Sequence, residues 1–281
     1  MTRRYRKKRG CISSVVRIVI FFWAISFFSG LIKEIGGRVL PSKYSHTVYI
    51  ETPETLKTIE PYGNEAFPGS FVRASQEWDY GRRSWESTWH VSRTELKAAA
   101  RELDAFAEHN PVPLKEGMSQ EAYSVAFFTE LYRNAAEKNR RRLNNIVYGL
   151  DWLRKENNLD DREFVELVIR LIQEIPYEIP EEKRYGLSSP EEVISENRGD
   201  CDSKSVLAAV LFKRFGIDSV ILLSPYYEHA MLGLGYPGLG DYKQYRSRPY
   251  YFVEMTRPGW RIGQLPDEVG NAEKWFVVPL E

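Results

Sequence analysis

Arg198-Gly199-Asp200-Cys201-Asp202-Ser203-Lys204-Ser205 puts a cysteine where a glycine-bearing turn meets an amphipathic run. A thiol at a helix N-terminus lies against free backbone N–H groups and the positive end of the helix dipole, which lower its pKa and make it nucleophilic. Cys201 stands among Asp, Gly and Ser, not on the apolar stripe beside Val206 and Val210 where an inert thiol would sit. A thiolate nucleophile needs a base in reach, and the base needs an acceptor to orient it. Of the four histidines, His46 falls in a linker, His90 in an aromatic hairpin and His109 at a helix end. His229, in Glu228-His229-Ala230-Met231, opens a strand in the same region as Cys201. In the run 250–256 a single acid, Glu254, interrupts apolar residues. A carboxylate buried in a strand needs a partner, because its desolvation is otherwise prohibitive. An imidazole N–H would be that partner. Cys201, His229 and Glu254 are therefore expected to act as nucleophile, base and orienting acid. A lone core histidine and a structural glutamate explain any one of these residues, but the three together less well.

The elements that must position these groups follow from the pattern of apolar residues. Runs at 70–80 and 84–91 flank Gly81-Arg82-Arg83 and carry Trp78, Tyr80, Trp85 and Trp89, a hairpin signal. Residues 94–108 form an alanine-rich helix stopped at Asn110-Pro111. Tyr123, Phe127, Leu131, Ile146, Leu150 and Leu153 recur at three- and four-residue steps through a long amphipathic stretch, 119–156. Its Lys138–Arg142 charge run is expected on a solvated helix face. A further helix covers 160–174, and Ser188-Ser189-Pro190-Glu191-Glu192 is a helix start with proline in the first turn. Residues 203–215 form a helix closed by Gly216. Strands are then expected at 217–223, 229–234, 250–256 and 274–280, with a Gly/Tyr-rich loop at 235–249. Helices first and strands after them predict an α+β fold with an antiparallel sheet.

Composition limits the classes of function. The 39 Lys+Arg and 39 Asp+Glu give zero net charge, which excludes a generally basic nucleic-acid binder. Hydrophobic residues at 43%, with 7 Trp and 17 Tyr, suit a packed domain, and two cysteines cannot form a disulfide framework. The charge is unevenly spread. Eight of the basic and one of the acidic residues fall in 1–34, leaving 31 and 38 beyond it, a net −7. Arg3, Arg4, Arg6, Lys7, Lys8 and Arg9 precede a stretch whose only charge before Lys33 is Arg17. About 20 apolar residues span a bilayer as a helix, and an arginine near the basic end can snorkel. The reading is a cytoplasmic basic tail (1–10), a transmembrane anchor (11–34) in contact with membrane lipid, and a body outside the cytoplasmic membrane. Ser29-Gly30-Leu31 is a poor cleavage site, which favours an anchor over a removed signal peptide. Residues 35–70 read as a juxtamembrane linker with one strand near 47–50.

The stretch from Gly199-Asp200-Cys201-Asp202-Ser203-Lys204-Ser205 through Glu228-His229-Ala230 to Val253-Glu254-Met255-Thr256 resembles the transglutaminase-like superfamily. These are papain-like proteins with a cysteine, histidine, acid triad in that chain order. Leu171-Ile172-Gln173-Glu174-Ile175-Pro176-Tyr177 and Trp260-Arg261-Ile262-Gly263-Gln264-Leu265 are similar to segments of bacterial and archaeal members, so the resemblance covers roughly residues 160–265. It implies a papain-like fold for a catalytic part (158–281); the hairpin-plus-helical part ahead of it (71–157) is read from the residues alone and matches no segment of that family. It implies a role for Gln173 in polarising the scissile carbonyl of a polypeptide or amide substrate. Most relatives carry aspartate as third member; here Glu254 stands in its place, with a longer side chain that can still accept from imidazole. Cys201 Sγ would attack an amide carbonyl, with Gln173 and the Cys201 N–H holding the oxyanion. Water as acceptor would make the chain a peptidase or amidase, and a lysine amine would make it a transglutaminase.

Other signals point elsewhere less well. Gly233-Leu234-Gly235-Tyr236-Pro237-Gly238 matches a dinucleotide fingerprint, but Leu239-Gly240-Asp241 does not open the helix that such a site requires. No zinc spacing connects the histidines and cysteines, and Asp202 is expected to cap a helix, not to bind calcium. No cofactor is expected. Two further readings remain: a non-catalytic binding or assembly module on the same fold, and a scaffold whose partner binds an exposed aromatic hairpin at 71–91.

Overall fold

The computed structural model describes residues 57–59, 71–109, 112–183 and 185–281. The expected tail and anchor at 1–34, and the strand near 47–50, lie outside them. Among the described residues no helix is long and apolar enough to cross a membrane.

Strands β2 (Phe71–Tyr80) and β3 (Arg83–Ser92) form the expected hairpin, paired from Phe71↔Ser92 to Tyr80↔Arg83. Its two-residue turn starts at Gly81, φ 66°, the positive φ that tight hairpin turns require. A short strand, β1 (Lys57–Ile59), runs parallel to β3 within what the sequence marks as linker. Trp78, Trp85 and Trp89 are 3%, 2% and 2% exposed, and Trp89 Nε1 donates to Gln76 Oε1 at 2.9 Å. That burial removes the reading in which an exposed aromatic hairpin recruits a partner.

Helices follow: α1 (Arg93–Glu108), α2 (Gln120–Asn139), α3 (Asn144–Glu156), α4 (Asp161–Glu174), α5 (Pro190–Glu196) and α6 (Cys201–Arg214). The amphipathic stretch expected as one element is two helices joined by a tight turn in which Asn144 N donates to Arg141 O. The turn buries Leu143 and lets α3 lie against β3, where a Cβ on Gly149 would stand 2.7 Å from Trp89. It also carries Arg142 off the expected solvated face, to pair with Glu102 at 3.0 Å and face buried Glu191 at 3.9 Å. Capping boxes at Asp160/Glu163 and Ser189/Glu192 start α4 and α5 as their sequences dictate.

Strands β4 (Ser219–Ser224), β5 (His229–Leu234), β6 (Tyr242–Tyr245), β7 (Arg248–Val253) and β8 (Phe276–Pro279) make an antiparallel sheet in the order β6-β7-β5-β4-β8. The fold is α+β. Strand β6 lies inside the stretch expected as a loop; as an edge strand with exposed Tyr242 it shows little apolar signal. No helix follows the glycine pattern at 233–238, whose first glycine sits where a Cβ would be 2.6 Å from Val220. Its central strands, β4 and β5, are buried on both faces. Ile221, Leu223, Ala230, Leu232 and Val253 join one core shared by the hairpin and the helices. Val220, Leu222, Met231, Tyr250 and Phe252 pack around Trp275 on the other face. Helix α6 is buried from Ser203 to Phe212 and packs on β4 and β5, so its first turn meets the start of β5.

Candidate functional site

The turn that presents Cys201 is held from both sides. Gly199 N donates to Pro176 O, and Glu178 N donates to Gly199 O, both at 3.2 Å, tying the turn to the segment that leaves α4. Helix α6 begins at Cys201, two residues earlier than the apolar pattern predicts. Its cap is Asp200, whose carboxylate accepts from Ser203 N at 2.9 Å, and not Asp202, the cap expected from sequence. The cysteine therefore occupies the first helical position, where its own N–H has no intrahelical acceptor.

The thiol lies at the junction of α6 and β5 and is 8% exposed. Sγ–H donates to Asp202 Oδ1 at 3.5 Å, and the Ala230 backbone on β5 favours the thiolate. Burial, reinforced by the Asp202 and Asp200 carboxylates, holds the thiol well above its usual range. This reverses the acidified thiol expected at a helix N-terminus. Two close carboxylates and desolvation outweigh a half-charge dipole. Asp200 and Asp202 are themselves pushed up, Asp200 by burial and its like-charged neighbour, Asp202 chiefly by burial. Tyr132, fully buried on α2, holds its phenol within electrostatic reach of Asp202 and Cys201.

His229 opens β5, one residue before Ala230, after a turn that sets Glu228 at φ 50°. Its Nε2 stands 2.8 Å from Glu254 Oε2, and its ring lies edge-on to Trp275 at 5.9 Å between centroids. Burial favours the neutral ring, but Glu254 outweighs it and the imidazole pKa is raised. Glu254 is 4% exposed and lies one residue past the end of β7, not within a strand as expected. Burial would raise its pKa; His229 and the Thr256 N–H, which donates to Oε1 at 2.9 Å, bring it down to about 2. The carboxylate is therefore charged, Nε2–H donates to it, and Nδ1 is left for the site. The structure thus brings Cys201, His229 and Glu254 to one corner, where α6, β5 and the end of β7 meet.

Gln173 arrives at the same corner but in a different capacity. Its Nε2 donates to Glu254 O at 2.8 Å and to Trp260 O at 3.1 Å, which occupies both amide hydrogens. Turning the amide over would set its oxygen against two carbonyl oxygens. The residue expected to face an oxyanion instead fixes the backbone that carries Glu254. Beside it lies Lys204, fully buried, one turn after Cys201. Its Nζ donates to the carbonyls of Ile175 (2.6 Å), Gln173 (3.2 Å) and Thr256 (3.2 Å). Burial lowers the Lys204 pKa to about 7, against the pull of Glu254, Glu174 and Asp200, while three carbonyl acceptors favour the ammonium form. Lys204 ties the helix that carries Cys201 to the end of α4 and to the loop that carries Glu254. The clue in the sequence was a charged residue on an otherwise buried helix face, the same kind of signal that marked Glu254.

Tyr177 is the other group missed from sequence. It forms a parallel bridge with Gly199, the residue is 45% exposed, and its hydroxyl end lies within electrostatic reach of Cys201, Asp200, Asp202 and Glu254. Among the described residues no three His, Cys, Asp or Glu side chains are grouped to hold a metal ion. Comparison with models of known families, with curated proteins and with solved structures returns no match for this chain.

Proposed function

We propose that this chain is a cysteine-dependent acyl-transfer enzyme of the transglutaminase-like, papain-like kind, held at the membrane by residues 11–34 with its body outside the cytoplasm. The observation that carries this reading is the pairing of His229 with Glu254 at 2.8 Å, next in the chain to Ala230, whose backbone favours the Cys201 thiolate. The thiol stays protonated at rest, so His229 acts as general base during attack rather than as half of a standing ion pair. Cys201 Sγ attacks the carbonyl carbon of a polypeptide or amide. His229 takes the thiol proton and passes it to the leaving amine, and Glu254 stabilises the imidazolium in between. Water or a lysine amine then resolves the acyl-enzyme.

The full chain, alkylated with iodoacetamide and mapped at Cys201, tests this. The rate should climb as pH rises through neutrality, and His229→Ala should lower it. A His229→Ala rate equal to that of the unaltered chain refutes the reading. One observation favours a second reading, a binding or assembly module without turnover: Cys201 is 8% exposed, and burial together with two nearby carboxylates raises its pKa. A Cys201 that resists iodoacetamide even at alkaline pH would favour that module.

A further inference from the structure

An acyl-transfer site must stabilise the negative charge that develops on the carbonyl oxygen, and Gln173 has no amide hydrogen left for that task. The Cys201 N–H at the first helical position supplies one donor. We propose that the Tyr177 hydroxyl supplies the second, and that it and the Cys201 N–H together bind the oxyanion; the proposal rests on the acyl-transfer reading of this same site.

The backbone aims this side chain at the sulfur. Tyr177 and Gly199 are bridge partners in parallel register, so their side-chain directions agree. Asp200 is extended, with φ −85° and ψ −171°, so Cys201, two residues beyond Gly199, projects to the face on which Tyr177 stands. The bonds Gly199 N to Pro176 O and Glu178 N to Gly199 O lock that register on both sides of Tyr177. Burial, reinforced by Cys201 and acidic neighbours, holds the phenol above its ordinary range, so it remains a donor throughout the working pH range. Among the described residues the Tyr177 hydroxyl makes no hydrogen bond, so it is available to a substrate. Tyr177 is 45% exposed where Cys201 is 8% exposed, so its side chain is open to a carbonyl arriving from solvent.

In the step concerned, the C–S bond forms as the carbonyl π pair moves onto oxygen, and the thiol proton passes to His229. The oxyanion then collapses and the bond to the leaving group breaks. Two probes separate this role from a structural one. p-Nitrophenyl acetate acylates a thiol through such an oxyanion and releases nitrophenolate. Iodoacetamide alkylates the same thiol by displacement of iodide at an sp³ carbon, with no oxyanion. In the full chain, Tyr177→Phe should slow nitrophenolate release, corrected for a Cys201→Ala background, by about 100-fold. Alkylation mapped at Cys201 should stay within about twofold, since it needs no oxyanion donor. Equal slowing of both reactions would show that Tyr177 only shapes the site, and no slowing of either would show that it is not a donor; both results overturn the proposal. If nitrophenolate release from the unaltered chain does not exceed the Cys201→Ala background, the acyl-transfer reading itself fails, and the proposal falls with it.

Discussion

Replacing Lys204 by methionine tests whether the site is held together from behind. The lysine Nζ satisfies three main-chain carbonyls, those of Gln173, Ile175 and Thr256, on a side chain with no solvent exposure. Methionine keeps much of the volume and removes every donor. A buried carbonyl that loses its partner costs roughly 1–3 kcal/mol, and relief from burying an ammonium offsets part of the total. A net loss of about 3 kcal/mol is expected, which for a domain of this size lowers Tm by roughly 6–12 °C. The site should register the change separately. Thr256 O is freed while Thr256 N remains the donor to Glu254 Oε1, so the carboxylate loses its fixed position and the His229 pKa falls towards its ordinary value. Melting followed by circular dichroism gives the first quantity, and NMR titration of the His229 ring protons gives the second. Lys204→Gln, with two donors on a shorter stem, should lie between the two proteins in both. A methionine variant that melts at or above the temperature of the unaltered chain, with an unmoved His229 titration, refutes the argument.

Glu254→Gln should flatten the acid limb of stability. The folded carboxylate titrates near 2 instead of near 4.5, so its contribution of about 3 kcal/mol is complete above 4.5 and is lost as pH falls towards 2. The raised His229 pKa works the other way, with stability present below 6.5 and lost as pH rises through the folded value, so urea titrations at pH 3, 5 and 8 separate the two. Glu191 is 1% exposed and neither of its oxygens has a hydrogen-bond partner; burial first, opposed by Arg142, brings its pKa up to about 8. The folded state therefore binds a proton that the unfolded state releases, stability falls between pH 4.5 and 8 by on the order of 4 kcal/mol, and Glu191→Gln should abolish that slope. Asp202→Asn removes a carboxylate 3.5 Å from the sulfur, so iodoacetamide should alkylate Cys201 faster at pH 7, by about tenfold for each unit that the thiol pKa drops. An unchanged rate would show that Asp202 does not hold the thiol proton.

The local chemistry of the chain was legible before any coordinates. Apolar spacing fixed α1, α4 and β5 to within a residue or two, because caps such as Asp160 and Ser189 and stops such as Pro176 act on their immediate neighbours. His229 and Glu254 were identifiable as a pair because an isolated acid in an apolar run demands a partner, and the structure sets them 2.8 Å apart. The division of 119–156 was not legible. Its cause is long-range: Leu143 must be buried and Gly149 must pass close to Trp89, contacts that no window of local periodicity contains. The charge state of the thiol was likewise decided by assembly. A helix N-terminus alone lowers a thiol pKa, but desolvation at the α6–β5 junction and two inward carboxylates raise it, and those depend on what packs around the turn. Gln173 changed role for the same reason. Sequence placed an amide beside the site, while the course of the backbone after β7 determined that its two hydrogens would meet the carbonyls of Glu254 and Trp260.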